Sequence, residues 1–143
     1  MFDTLYIAQL PELPFEAREV VKEIDDRPHL LVRIEISGGY FPHRAPEPFI
    51  RIITGKKVET SWFAEISEDN RSLVGYFPTN LPRQGTVEFG YGDEVMGRLK
   101  LNFAAKNIAR LDRKRLPKDV VVVSADLLKA KRQAAAGNTG TTR

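Results

Sequence analysis

Apolar and polar side chains alternate along most of the middle of this chain. His29–Ser37 reads HLLVRIEIS, with Leu30, Val32, Ile34 and Ile36 on one face and Leu31, Arg33, Glu35 and Ser37 on the other. A period of two is what a half-buried strand requires. Gly38-Gly39 ends the run, and the following loop carries Pro42, Pro46 and Pro48, which cannot donate to a ladder. Further strands are predicted over 49–54, 58–66, 72–77, 86–91 and 95–103. In 58–66 the pattern sets Val58, Thr60, Trp62, Ala64 and Ile66 against Glu59, Ser61, Phe63 and Glu65; in 95–103 it sets Val95, Leu99, Leu101 and Phe103 against Arg98, Lys100 and Asn102. Between them lie Gly55-Lys56-Lys57, the turn-forming Ser67-Glu68-Asp69-Asn70, and Gly92-Asp93-Glu94. Short alternating strands with turn signals every 8–12 residues predict an all-β antiparallel sandwich or barrel, and no βαβ rhythm competes with it.

The two ends read differently. Ala17, Val20, Val21 and Ile24 fit one face of a helix starting near Pro14, while 18–24 equally fits a hairpin with 29–37 across Asp25-Asp26-Arg27-Pro28. Both readings stay open at this level. Val120–Val123 predicts a strand, and Ser124 is placed to cap a helix through about Ala136, where Gly137 would stop it. Asp126 lies at the positive end of that helix and Lys129, Lys131 and Arg132 near its negative end. The final GNTGTTR is small, polar and expected to be mobile. The chain thus divides into a sandwich, 1–109, with core strands over 29–103, and a basic, partly helical C-terminal extension, 110–143.

This layout resembles an immunoglobulin-like sandwich, and within that class it is similar to the TIG (IPT) modules. The stretch IEISGGYFP (34–42) is like that family's strand, glycine and aromatic turn, and IRIITGKKV (50–58) follows in the same succession. PTNLPRQGTVEFGYG (78–92) resembles the family's approach to a final strand. The resemblance covers 29–103, and the family's Pro/Gly-rich opening is not evident. It implies an interaction or spacer domain without catalytic residues, so none are carried over.

Charge changes the picture only when it is located. The formal net charge is +3. Residues 110–143 hold nine Lys/Arg against three Asp, so the remaining body is mildly acidic. A positive potential over the whole body, the footprint of a DNA-binding domain, is not supported; the extension alone can seek anions. The candidate polyanion contacts are Arg110, Arg113, Lys114, Arg115 and Lys118 in RLDRKRLPK, where Asp112, Leu111 and Leu116 interrupt the basic run. The absence of cysteine excludes a disulfide scaffold, a zinc-thiolate site and a cysteine nucleophile. No apolar run approaches the ~20 residues of a membrane span, and Asp3 stands where a signal peptide would begin its apolar region. A cytoplasmic location without membrane association is the expectation.

Candidate chemistry is sparse. His29 and His43 are the only histidines, and no G-x-S-x-G elbow surrounds any serine. Two histidines without cysteine make a poor metal set, and Ser67–Asn70 lacks the spacing of a calcium loop. In GYGDEVMG, Val95 stands where a phosphate loop needs glycine. Glu59, Glu65 and Glu88 read as solvent-facing carboxylates. No catalytic residue, metal site or cofactor is therefore expected.

Three adjacent aromatic pairs, Tyr40-Phe41, Trp62-Phe63 and Tyr76-Phe77, carry more information. Strand neighbours point to opposite faces, so one core cannot take both members of a pair. If Trp62 and Phe77 turn inward, Phe63, Val74 and Tyr76 form an outer face. Such a face serves a protein partner, self-association or a glycan, unless the N-terminal segment or the C-terminal helix covers it. The function expected from sequence is a non-catalytic interaction or structural module acting through this face or the C-terminal arm. Nucleic-acid or polyanion binding by the basic segment is the alternative, and a glycan-binding or enzyme accessory role comes third.

Overall fold

The computed structural model describes residues 15–131 and 133, without the side chains at 99–103 and 105. The expectations for Pro14, for the facing of Leu99, Lys100, Leu101, Asn102 and Phe103, for Arg132, and for the helix end and tail over 134–143 lie outside what is described.

Two mostly antiparallel sheets face each other. The first holds β1 (Phe15–Ile24), β2 (Arg27–Ile36), β6 (Leu73–Phe77) and β5 (Phe63–Ile66) in the order 1-2-6-5, and β9 (Val121–Val122) joins it beside β2. The second holds β4 (Lys57–Thr60), β3 (Pro48–Thr54), β7 (Gln84–Tyr91) and β8 (Glu94–Ala104) in the order 4-3-7-8. Between them lies the main core, which includes Val32, Ile34, Ile36, Ile50, Ile52, Leu73, Phe77 and Val87. The alternation in β2 accounts for its share, since Val32, Ile34 and Ile36 all point inward and are fully buried.

The ambiguous segment 15–24 is a strand. It pairs with β2 from Phe15↔Ile36 to Ile24↔Arg27, leaving a two-residue turn. Asp25 (φ 53°) and Asp26 (φ 63°) are both left-handed, as the hairpin turn matched to strand twist requires. Aspartate tolerates that region because its side chain bonds locally to backbone. The helical spacing of Ala17, Val20, Val21 and Ile24 therefore yields to pairing.

The single strand expected over 58–66 is instead two strands in different sheets. Its chain crosses over at Ser61-Trp62. Ser61 locks the crossing: its N–H donates to the Ile50 carbonyl (2.8 Å) and its Oγ accepts from the Ile50 N–H (3.2 Å). The Trp62 N–H then donates to the Tyr76 carbonyl of the first sheet (2.8 Å). Trp62 accordingly turns away from the intersheet core, contrary to the reading from periodicity. Among the described residues no helix is long and apolar enough to cross a membrane.

Candidate interaction surface

The outer face of the first sheet is built by strand alternation. Val20 of β1 lies opposite Leu31 of β2, and Tyr76 of β6 lies between Arg33 of β2 and Phe63 of β5. All five residues of β6 are buried, the signature of a strand covered on both sides. A second apolar cluster therefore stands outside the main core. Leu31, Val74, Tyr76, Val123 and Leu128 are its buried members, with Val20, Ile24, Trp62, Phe63 and Leu127 half-buried against them. The aromatic rings run in series: Phe63 stacks on Tyr76 at 4.7 Å, Trp62 meets Phe63 edge-on at 5.5 Å, and His29 lies 6.3 Å from Trp62. Tyr76 Oη donates to Glu65 (2.7 Å), and Lys22 Nζ sits 5.1 Å over the Tyr76 ring. Burial, then the carboxylate of Glu65, raises the Tyr76 pKa above its ordinary value.

The trio expected to stand open is thus covered: Val74 and Tyr76 are buried and Phe63 is half-buried. The cover is the C-terminal arm, because Val123 and Leu128 are themselves buried against this face. The path of the arm explains how it arrives there. After a 3-10 turn (Ala105–Asn107), Ile108 enters the main core and Ala109 pairs with β1 through the N–H of Glu19 (2.8 Å) and the carbonyl of Ala17 (3.1 Å). A second 3-10 turn (Arg113–Arg115) is capped by Asp112. Then β9 runs parallel to β2 at His29 and Leu30, where β6 no longer reaches. Both the N–H and Oγ of Thr79 donate to the Val123 carbonyl (2.8 and 3.0 Å). Ser124 Oγ accepts from the Leu127 N–H (3.1 Å), the predicted cap, and backbone is helical over 125–131. Asn80 adds an acceptor for the Ala125 N–H (2.7 Å), and Lys131 Nζ lies 5.6 Å over the Trp62 ring.

The five basic candidates part company. Arg110 and Arg113 close on Glu19, whose side chain is fully buried. Its carboxylate accepts from Arg110 Nη1 (2.8 Å), from both Nη atoms of Arg113 (2.9 Å each) and from the Leu111 N–H (2.9 Å). Burial works to raise the Glu19 pKa; the hydrogen bonds from Arg113, Arg110 and Leu111 outweigh it and hold the group below its ordinary value. Arg115 lies 3.8 Å from Asp112, and Lys114 and Lys118 are exposed. Of the candidate polyanion contacts, Arg110 and Arg113 are thus already engaged within the chain, because the core-facing side of β1 supplies a buried carboxylate.

The histidines hold structure. His29 Nδ1 lies 2.9 Å from the Arg27 carbonyl. His43 Nε2 lies 3.2 Å from the Ile66 carbonyl, and its Nδ1 accepts from Asn70 Nδ2 (2.9 Å), so the ring bridges two loops. Ser67–Asn70 is a turn, with Ser67 Oγ and the Arg71 N–H both donating to Asp69. Among the described residues no group of three or more metal-ligating side chains gathers. Glu88 departs from the solvent-facing expectation: it is 3% exposed, held between Arg51 (3.3 Å) and Arg98.

Sequence reasoning found the face, the arm and the serine cap separately. It missed Glu19, Thr79 and Asn80, which join them across long stretches of chain. Comparison with protein-family models, curated proteins and solved structures finds no match to this chain.

Proposed function

We propose that this chain is a non-catalytic interaction module of immunoglobulin-like type, working through the outer face of the first sheet and the C-terminal arm that lies on it. The strand orders 1-2-6-5 and 4-3-7-8 support the immunoglobulin-like assignment. They correspond to ABED facing CFG, with one strand added beside C. The similarity to TIG modules agrees with a spacer or interaction role. The observation that carries the reading is the second apolar cluster, built on a sheet whose inner face already has its own core. In this structure Val123 and Leu128 of the arm complete that cluster, so face and arm together form the surface on which the reading rests. Here the face is covered by the arm of the same chain.

Site-specific photocrosslinking tests this. A photoreactive phenylalanine at position 63 is expected to capture a discrete partner, or a second copy, in cells of the source organism. The same group at position 58, exposed on the second sheet, is the comparison. Crosslinks at 58 and none at 63 would move the working surface to the other sheet.

A polyanion reading keeps one support, the exposed Lys114, Arg115 and Lys118. With Arg110 and Arg113 held by Glu19, about three phosphate contacts remain, and binding to labelled duplex DNA should show a log–log salt slope of about −2.7 rather than about −4.5. No binding at low salt ends that reading.

A further inference from the structure

The first sheet ends at β5, a four-residue strand paired on one side only, with β6. Register shows which of its backbone groups are engaged. The Ser67 N–H donates to the Ser72 carbonyl (3.0 Å), and Glu65↔Val74 and Phe63↔Tyr76 follow at the same two-residue step. These odd positions turn their amides to β6, so the N–H and C=O groups of Ala64 and Ile66 point off the open edge. Among the described residues one side chain meets them. Asn70 Nδ2, which also donates to the Phe41 carbonyl, donates to His43 Nδ1 (2.9 Å), which leaves the ring proton on Nε2 to donate to the Ile66 carbonyl (3.2 Å). The Ala64 N–H, the Ala64 carbonyl and the Ile66 N–H remain in a row. They lie along a cleft of about 280 Å³ lined by His43, Arg44, Pro48, Ala64, Glu65 and Ile66.

Arg44 supplies the charge of this cleft. Its guanidinium lies 4.3 Å over the ring of Tyr91, which is 1% exposed and donates its own hydroxyl to the Pro42 carbonyl (2.7 Å). The stack holds the fork flat and leaves its N–H edge lightly engaged, by a long bond to the Ala45 carbonyl (3.4 Å) and by the Met96 sulfur (4.0 Å). Among the described residues no carboxylate lies within 4.0 Å of it. Glu65 is turned the other way, toward Tyr76 Oη (2.7 Å) and Lys22 Nζ (4.0 Å). A planar cation without a counter-ion, beside unpaired strand amides, is complementary to a carboxylate carried on an extended backbone.

We infer that the open edge of β5 binds the C-terminal end of a partner protein as an added strand, with its terminal carboxylate on Arg44. Direction and register follow from the free groups. In a strand parallel to β5, one residue donates its N–H to the Ala64 carbonyl and accepts, through its own carbonyl, from the Ile66 N–H. The next inward N–H of a continuing strand needs the Ile66 carbonyl, which His43 occupies. A chain that ends there has no such N–H. Its carboxylate accepts from the Ile66 N–H with one oxygen and presents the other to Arg44. This contact goes beyond the outer face and the arm, since no residue of their apolar cluster lines the cleft.

Fluorescence anisotropy on the full chain tests this with three N-terminally fluorescein-labelled hexapeptides of alternating valine and threonine. One has a free C-terminal carboxylate, one is amidated, and one is amidated with glutamate as its last residue. The free acid is expected to bind at least about tenfold more tightly than the plain amide. Arg44→Gln, at an exposed position, should erase that preference and leave the amide's affinity within about twofold. Ala64→Pro removes the outward N–H but no bond to β6, and should weaken acid and amide alike; should it fail to fold, Arg44→Gln carries the test unaided. On titration with the free acid, the backbone amide NMR signals of Ala64 and Ile66 are expected to shift. Equal binding of acid and amide, tighter binding of the glutamate peptide than of the free acid, or a preference that survives Arg44→Gln each overturns the inference. So do shifts confined to another surface, or no binding of the free acid at about 1 mM.

Discussion

Replacing Glu19 by glutamine isolates the latch that fixes the base of the arm. The side chain keeps its shape but loses its charge, and one oxygen becomes an amide that cannot accept from arginine. Four hydrogen bonds end on the wild-type carboxylate. A bond to a charged group is worth about 1.5–3 kcal/mol and a neutral one about 0.5–1.5. Arg110 and Arg113 are 42% and 53% exposed, so water reclaims part of what they lose. The discounted cost of Glu19→Gln is about 2–3 kcal/mol at pH 7. The dependence on pH has a definite sign. Glu19 has a folded pKa lowered from 4.5, so its contribution is complete above that ordinary value and is lost as the pH falls through the lowered one. Urea unfolding followed by Trp62 emission, at pH 7 and at a series of pH values below the ordinary carboxylate range, follows this loss. The deficit of Glu19→Gln should be full at pH 7 and shrink in acid. A variant within about 0.5 kcal/mol of wild type at pH 7, or a deficit unchanged in acid, would refute the reasoning.

Other substitutions probe separate parts of the molecule. Ser124→Ala removes the helix cap and should cost about 1 kcal/mol, seen as faster hydrogen exchange over 125–131 with little change in the sheets. Asn70 has φ 63° and donates to both Phe41 and His43; Asn70→Gly should lose about 1 kcal/mol of bonding, and Asn70→Ala more, because it adds backbone strain, the order being read from urea midpoints. Gly90→Ala would bring a Cβ within 1.9 Å of the Glu94 carbonyl oxygen. Backbone on both sides must then shift, and a drop of several degrees in melting temperature, or failure to fold, is expected by calorimetry.

Much of the fold was legible because alternation and burial coincide. In β2 the inward positions Val32, Ile34 and Ile36 are those the period of two selects, and Ile50, Ile52 and Val87 of β3 and β7 meet them in the core. Two places were not legible, for physical reasons. The turn at Asp25-Asp26 contains no glycine, so the strongest hairpin signal is missing and a helical spacing looks equally good. The crossing at Ser61-Trp62 has neither glycine nor proline, and an unbroken alternation runs straight through it. Only Ser61 meeting Ile50, eleven residues upstream, reveals the change of sheet. For the site, the two-sided apolar character of β6 was visible. The identity of its cover was not, because the arm reaches it through Glu19 and Arg113, 94 residues apart. Glu19 itself sits among charged neighbours in EAREVVKE and reads as one more solvated residue.

The short pairing of Val121 and Val122 beside His29 and Leu30 has a consequence for biogenesis. A ribosome makes the groove long before it makes the lid, and at about 5–20 residues per second the nascent sheet waits several seconds for its last strand. During that interval greasy side chains and an unfinished edge face solvent or a chaperone. A chain cut short before Val121 would have its central packing assembled and one flank permanently raw, a species more prone to clump than to unravel.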